Sequence, residues 1–162
     1  PARVLGVVGR CCKPGNDITL HYQYGPVSRV AAFYAKDIIW PNSGHGPEEM
    51  DLTGSYDAFT FTTMLQLEDY GFCKKGEAAE FIRINSFTHE GSFPHNTSGG
   101  QLSVGQAGAA GGYLGMVEAI RQLTGDAEKN AVPDAKVAVI SGFGIINFDR
   151  GLCSGAAILA AT

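Results

Sequence analysis

The run from Asn96 to Gly115 holds seven glycines and four alanines or valines with almost no charge, then passes directly into the helix-like pattern Met116 to Gly125. Gly99, Gly100 and Gly105 free the backbone to take φ > 0 or to approach a ligand closely. A glycine loop entering a helix start presents unpaired N–H groups under the positive end of the helix dipole, which suits a negatively charged group. The same composition also suits a buried helix packed tightly on its neighbours behind a flexible lead-in. On local sequence the two readings stand level.

Other reactive side chains are scattered. Cys11, Cys12, Cys73 and Cys153 form no Cys-x-x-Cys pair and match no zinc-site spacing, so reduced thiols in a cytoplasmic protein are expected. His21, His45, His89 and His95 are spread so widely that a metal site would need long-range assembly, and none is expected. His95 reads as a solvent-facing loop residue, with a place at the mouth of a pocket as the alternative. A net charge of −4, with no basic cluster interleaved with aromatics, argues against nucleic acid as a partner. No apolar run is long enough to span a bilayer, and no signal peptide is visible. Charged residues make up only 17% and glycines number 22, a balance that suits tight backbone packing and burial against a partner.

The length, 162 residues, suits one domain over the whole chain. Arg3 to Gly9 reads as a strand, and a chain opening at Pro1 on such a run is expected of a fragment or processed product. Lys13 to Asp17 reads as a turn. Pro26 opens a helical pattern over 27–40, with Val27, Val30, Ala31, Tyr34 and Ile38 on its buried face. A loop follows from Pro41 to Pro47. Asp51 to Phe59 reads as a strand running into a turn, Thr60 to Tyr70 as a buried helix stopped by Gly71, and Lys75 to Ile84 as a second short helix. Asn85 to Pro94 is loop or hairpin. Ala135 to Ile140 and Gly155 to Ala161 are apolar strands of the doubly buried kind, the first broken by Ser141-Gly-Phe-Gly144. Strands alternating with helices predict an α/β layered domain with a mixed sheet covered by helices.

Several motifs recur in a telling order: Tyr56-Asp-Ala-Phe59, Leu67-Glu-Asp-Tyr-Gly-Phe-Cys73, Asn96-Thr-Ser-Gly-Gly100, Gly105-Gln-Ala-Gly-Ala-Ala-Gly-Gly112 and Ser141-Gly-Phe-Gly144. Together they make the chain resemble the C-terminal half of thiolases, in particular the sterol-carrier-protein type and the thiolase-like aldolases of steroid side-chain degradation. The resemblance covers nearly the whole chain. It implies one half of a five-layered αβαβα fold, with coenzyme A thioesters as substrates and no covalently bound cofactor. It also implies an N-terminal thiolase half that carries the cysteine nucleophile, a homodimer of complete subunits, and a small OB-fold, zinc-ribbon partner. In the family, the C-terminal half contributes an Asn and a His that help hold the thioester oxyanion, and a second cysteine that acts as acid and base.

This sequence departs from the pattern at each of those positions. Tyr56 stands in place of the Asn, with Asp57 in place of the following Glu. Gln106 replaces the His and Ser141 replaces the second cysteine. Gln106 can donate a hydrogen bond to an oxyanion but cannot titrate. A serine hydroxyl is too weakly acidic to replace the thiol unaided, while a phenol can move a proton. The resemblance therefore implies an oxyanion pocket without ordinary Claisen thiolysis. A retro-aldol cleavage fits what remains, with Tyr56 moving the proton and Gln106 a donor. Asn96 and the backbones of Gly99, Gly100, Gly142 and Gly144 would bind substrate.

Simpler roles stand beside these: a packed aromatic for Tyr56, a helix cap for Gln106, a turn residue for Ser141. Cys153 competes with Ser141 for the cysteine position, and is read as a loop cysteine because the Ser-Gly-Phe-Gly turn would otherwise have no role. Ile145 to Gly151 reads as a lengthened turn that reshapes the pocket, with Asp149 and Arg150 able to pair or touch a partner. Two alternative functions stay open: an acetyltransferase or 3-ketoacyl-CoA thiolase with substituted residues, and a non-catalytic acyl-CoA-binding or structural subunit. Under any of them the isolated chain is expected to be inactive.

Overall fold

The computed structural model describes residues 1–11, 32–106, 108–147 and 150–162. Its centre is a four-stranded mixed sheet in the order β1-β4-β3-β2, with β1 at Ala2–Cys11, β2 at Leu52–Ser55, β3 at Val137–Asn147 and β4 at Arg150–Ala161. β4 runs antiparallel to both β1 and β3, whereas β2 and β3 are parallel. The helices are α1 (Ala32–Ser43), α2 (Thr60–Tyr70), α3 (Ala78–Ile84), α4 (Gly100–Val104) and α5 (Leu114–Thr124).

Alternation along β3 and β4 feeds two separate cores, as expected of a sheet covered on both faces. Val139, Ala156 and Ile158 pack with Val8 of β1, Ile39 of α1 and Leu65 and Tyr70 of α2. Ala138, Ile140, Ala157 and Leu159 pack on the other side with Leu52 and with Ala119 and Leu123 of α5. Ile140 is wedged between glycines: a Cβ on Gly54 or Gly115 would lie 2.8 Å from it. The last glycine of the run singled out from the sequence therefore serves packing of α5 on the sheet.

α2 ends at Gly71 (φ 89°), where Phe72 N–H donates to Leu67 O at 3.0 Å. This is the left-handed glycine stop expected from the sequence. Several boundaries differ from expectation: α3 begins at Ala78 and β4 at Arg150, and two further differences bear on the site. α1 runs through Pro41 to Ser43, because the last turn is closed on Trp40 O by Gly44 N–H (3.2 Å) and by the Ser43 hydroxyl (2.9 Å). The expected helix start at Pro26, with Val27, Val30 and Ala31, lies outside the described residues, as do the Lys13–Asp17 turn, Cys12 and His21.

The second difference is in β3. Ser141-Gly-Phe-Gly144 does not break the strand, which continues to Asn147 opposite β4. Pairing across the hairpin, Gly142 with Gly155 and Gly144 with Cys153, overrides the local turn preference of the glycines. The supposed long turn at Ile145–Gly151 is thereby mostly hairpin arm, and Asp149 lies outside the described residues. Among the described residues no helix is long and apolar enough to cross a membrane.

Candidate functional site

The end of β2 sets the site. Tyr56 leaves the strand with its N–H on Ser141 O at 3.1 Å, which extends the parallel pairing by one residue. From α2, the fully buried Gln66 reaches back and donates from Nε2 to Tyr56 O at 2.9 Å and to Thr62 O at 3.0 Å. The half-buried Tyr56 is thus fixed at both backbone groups. Its phenol oxygen accepts a hydrogen bond from Gln106 Nε2 at 2.5 Å. Gln106 follows α4, which ends at Gly105 (φ 102°). The structure so brings together two sequence-predicted residues, and Gln106 keeps a second N–H beyond the one given to Tyr56.

The glycine loop is built around Asp57. Gln101 N–H donates to Asp57 Oδ1 at 2.7 Å and Leu102 N–H to Oδ2 at 3.3 Å. The buried carboxylate therefore caps the start of α4, a short helix inside the glycine run that the sequence reading did not anticipate. Gly99 (φ 95°) and Gly100 (φ 64°) adopt left-handed backbone, and a Cβ on Gly100 would collide with the Asp57 carboxylate. Gly99 N–H is taken by Asn96 O at 2.7 Å. Asn96 is equally committed: Ser55 N–H donates to its Oδ1 at 2.9 Å, and its Nδ2 donates to Ser55 O at 3.1 Å. Side chain and loop together act as a further strand edge beside β2. Asn96 and Gly99 thus serve the loop's own architecture.

Ser141 lies on the α1–α2 face of β3, opposite to Ile140. Its buried hydroxyl donates to Gln66 Oε1 at 2.8 Å. It is joined to Tyr56 through Gln66 and not to the Tyr56–Gln106 contact. Gly142 and Gly144 are ladder residues of β3.

His95 corrects an expectation: it is buried, at 7% exposure, not solvent-facing. Its chain pairs in parallel with Thr53, and its ring packs on Phe87 and Phe93. Nδ1 lies 2.7 Å from Thr53 Oγ1 and Nε2 lies 3.0 Å from Ser55 Oγ. Burial pulls its pKa down to about 4, so the ring is neutral at neutral pH. A neutral ring donates at one nitrogen and accepts at the other, which suits two hydroxyl partners. Phe87 and Phe93, both shortly before His95 in the chain, were the available sequence signal for this burial. Asp57, Gln66 and Ser55 carried no comparable signal, because their partners lie far along the chain.

Cys73 is a free thiol, pushed up to about 11 mainly by burial and then by Glu68. Beside the pair, Phe59 just before α2, Phe61 on α2, and Leu102 and Val104 on α4 are exposed.

Comparison with known proteins places this geometry in context. Residues 27–153 match the model of the thiolase C-terminal domain-like family. A 17-hydroxy-3-oxo-4-pregnene-20-carboxyl-CoA lyase of Mycobacterium tuberculosis is 39% identical over 107 residues, which is 66% of this chain and 27% of that protein. An acetyl-CoA acetyltransferase of Methanocaldococcus jannaschii is 31% identical over 132 residues, 80% of this chain and 33% of that protein. Among solved structures, an Ltp2-ChsH2(DUF35) aldolase superposes with a TM-score of 0.80 at 25% identity, covering 99% of this chain and 40% of that one. The chain thus spans well under half the length of these relatives.

Proposed function

The chain belongs to the thiolase C-terminal domain-like family, and from that membership we propose that it is the C-terminal half of an enzyme cleaving a carbon–carbon bond in a β-hydroxyacyl-CoA thioester by retro-aldol chemistry. The observation that carries the reading is the hydrogen bond from Gln106 Nε2 into the Tyr56 phenol oxygen. That bond fixes the phenol oxygen in place, where it can exchange a proton with a substrate hydroxyl.

As phenolate, Tyr56 takes the proton of the substrate's β-hydroxyl. The bond between Cα and Cβ breaks, a carbonyl compound forms, and the electron pair remains on the thioester as an enolate. Tyr56 then returns the proton to the enolate carbon, and the shortened acyl-CoA leaves. The second N–H of Gln106 serves the enolate oxygen, where a preorganised donor contributes on the order of 10²–10³ in rate. Gln106 has no proton to exchange, so thiolysis through an activated thiol is not supported by this position. Ser141, expected among the reacting groups, is assigned a positioning role, since its hydroxyl holds Gln66 and Gln66 holds the Tyr56 carbonyl. The exposed Phe59, Phe61, Leu102 and Val104 support an apolar acyl portion.

The second apolar face of α5 supports the need for another half. One side of that helix is in the core, yet Tyr113, Val117 and Ile120 are 68%, 54% and 41% exposed on the other. Exposed apolar stripes of this kind mark a docking face. The N-terminal thiolase half is the occupant we assign, in a homodimer of complete subunits with an OB-fold, zinc-ribbon partner. The relationship to the Ltp2-ChsH2(DUF35) aldolase supports assembly with other subunits. The isolated chain is then inactive.

The test is Tyr56→Phe in the full-length protein. Loss of cleavage by about 10²–10⁴ with thermal stability retained is the expected result. Unchanged turnover would remove Tyr56 from the chemistry, and absence of turnover in the wild type on any acyl-CoA would favour a non-catalytic subunit.

A further inference from the structure

Between β2, α2 and the 95–96 segment lies a layer of buried polar side chains that the chemistry above uses only indirectly. Thr53, Ser55, Gln66, His95 and Ser141 are all buried there. With Tyr70 they line a cavity of about 10 Å³, which is room for about one water and nothing larger.

The hydrogen-bond inventory of this layer closes except at one atom. Ser141 gives its proton to Gln66 Oε1, and both Gln66 Nε2 bonds go to the carbonyls of Tyr56 and Thr62. Thr53 Oγ1 donates to Pro94 O at 3.3 Å, which leaves its lone pair for the His95 Nδ1 proton. Ser55 Oγ lies 3.0 Å from His95 Nε2 and 3.3 Å from Thr63 Oγ1, so it too has protein partners. The exception is Tyr70. Its side chain is 2% exposed, and its hydroxyl has no hydrogen-bond partner among the described residues. A hydroxyl left unpaired in the core forfeits its bond to water with nothing in return, and native proteins rarely tolerate it. The Ser141 oxygen, with its proton spent on Gln66, keeps acceptor capacity.

We propose that this cavity is a binding site for a single internal water, which accepts the Tyr70 O–H and donates to Ser141 Oγ. The water completes the chain Tyr70, water, Ser141, Gln66, Tyr56 O. It thereby ties the core phenol to the backbone of the surface phenol. Tyr70 and Ser141 are positioning residues in this arrangement, since both act on Tyr56 through Gln66. The inference stands on the packing of the polar layer and is independent of the retro-aldol reading.

The experiment is a high-resolution crystal structure of the full-length protein, with thermal unfolding of Tyr70→Phe beside it. The expected result is a fully occupied water within hydrogen-bond distance of Tyr70 Oη and Ser141 Oγ, and a Tm lowered by a few degrees in Tyr70→Phe. Density for that water should weaken in Ser141→Ala, a variant that removes its acceptor. A dry cavity would overturn the proposal. So would a Tm equal to or above wild type in Tyr70→Phe, since deleting a hydroxyl that bonds to nothing relieves a penalty.

Discussion

Gln106 Nε2 sits 2.5 Å from the Tyr56 phenol oxygen, joining the second residue beyond α4 to the residue after β2. Neither side chain could act alone as assigned: the Gln106 amide directs a donor at the phenol oxygen, and Gln66 holds the Tyr56 backbone carbonyl behind it. Separating the roles of the pair is the first requirement.

Replacing Gln106 should affect rate more than binding. In Gln106→Leu the full-length enzyme is expected to lose about 10²–10³ in kcat with a much smaller change in KM, since the donated bond matters most when charge develops. Steady-state kinetics on a β-hydroxyacyl-CoA measures this. A rise in KM at constant kcat would make Gln106 a ground-state binding residue.

Asp57 is expected to stabilise the loop without touching substrate. Asp57→Ala strips the acceptor from Gln101 and Leu102 N–H and should cost about 1–2 kcal/mol. Gly100→Ala should cost at least as much, because its φ of 64° disfavours a side chain and the added Cβ meets the Asp57 carboxylate. Denaturant unfolding of both variants provides the comparison. Wild-type stability in Gly100→Ala would contradict the loop geometry.

Stability should fall on mild acidification because of His95. The folded ring takes a proton only near pH 4, while in the unfolded chain it does so near pH 6.5. Between those values the unfolded state binds more protons, so stability decreases as pH falls through the interval and levels off below it. The full effect is about 3 kcal/mol. Unfolding measured from pH 7 to pH 4 should therefore be less pH-dependent in His95→Gln than in wild type. Identical slopes would mean that His95 is not buried neutral.

Much of this was readable from sequence where the signal is local. The apolar runs gave β1, β3 and β4, and Gly71 marked the end of α2. Family resemblance singled out Tyr56 and Gln106 separately, and no local pattern announced the hydrogen bond between them. What stayed hidden depends on distant partners. Ser141-Gly-Phe-Gly144 looks like a turn until β4 lies beside it. Asn96 looks like a ligand group until Ser55 takes both ends of its amide. Asp57 looks like a degenerate motif residue until α4 places its first N–H groups on it. The glycine run divides accordingly: Gly99 and Gly100 bend the backbone around Asp57, and Gly115 admits Ile140.

The most direct test is cleavage by the full-length protein, with its partner, in the absence of free CoA. Retro-aldol chemistry needs no second thiol, so a β-hydroxyacyl-CoA should give one carbonyl compound and one shortened acyl-CoA in equal amounts. Cleavage that occurs only on a 3-ketoacyl-CoA, and only when CoA is added, would contradict the account and assign the protein to thiolysis.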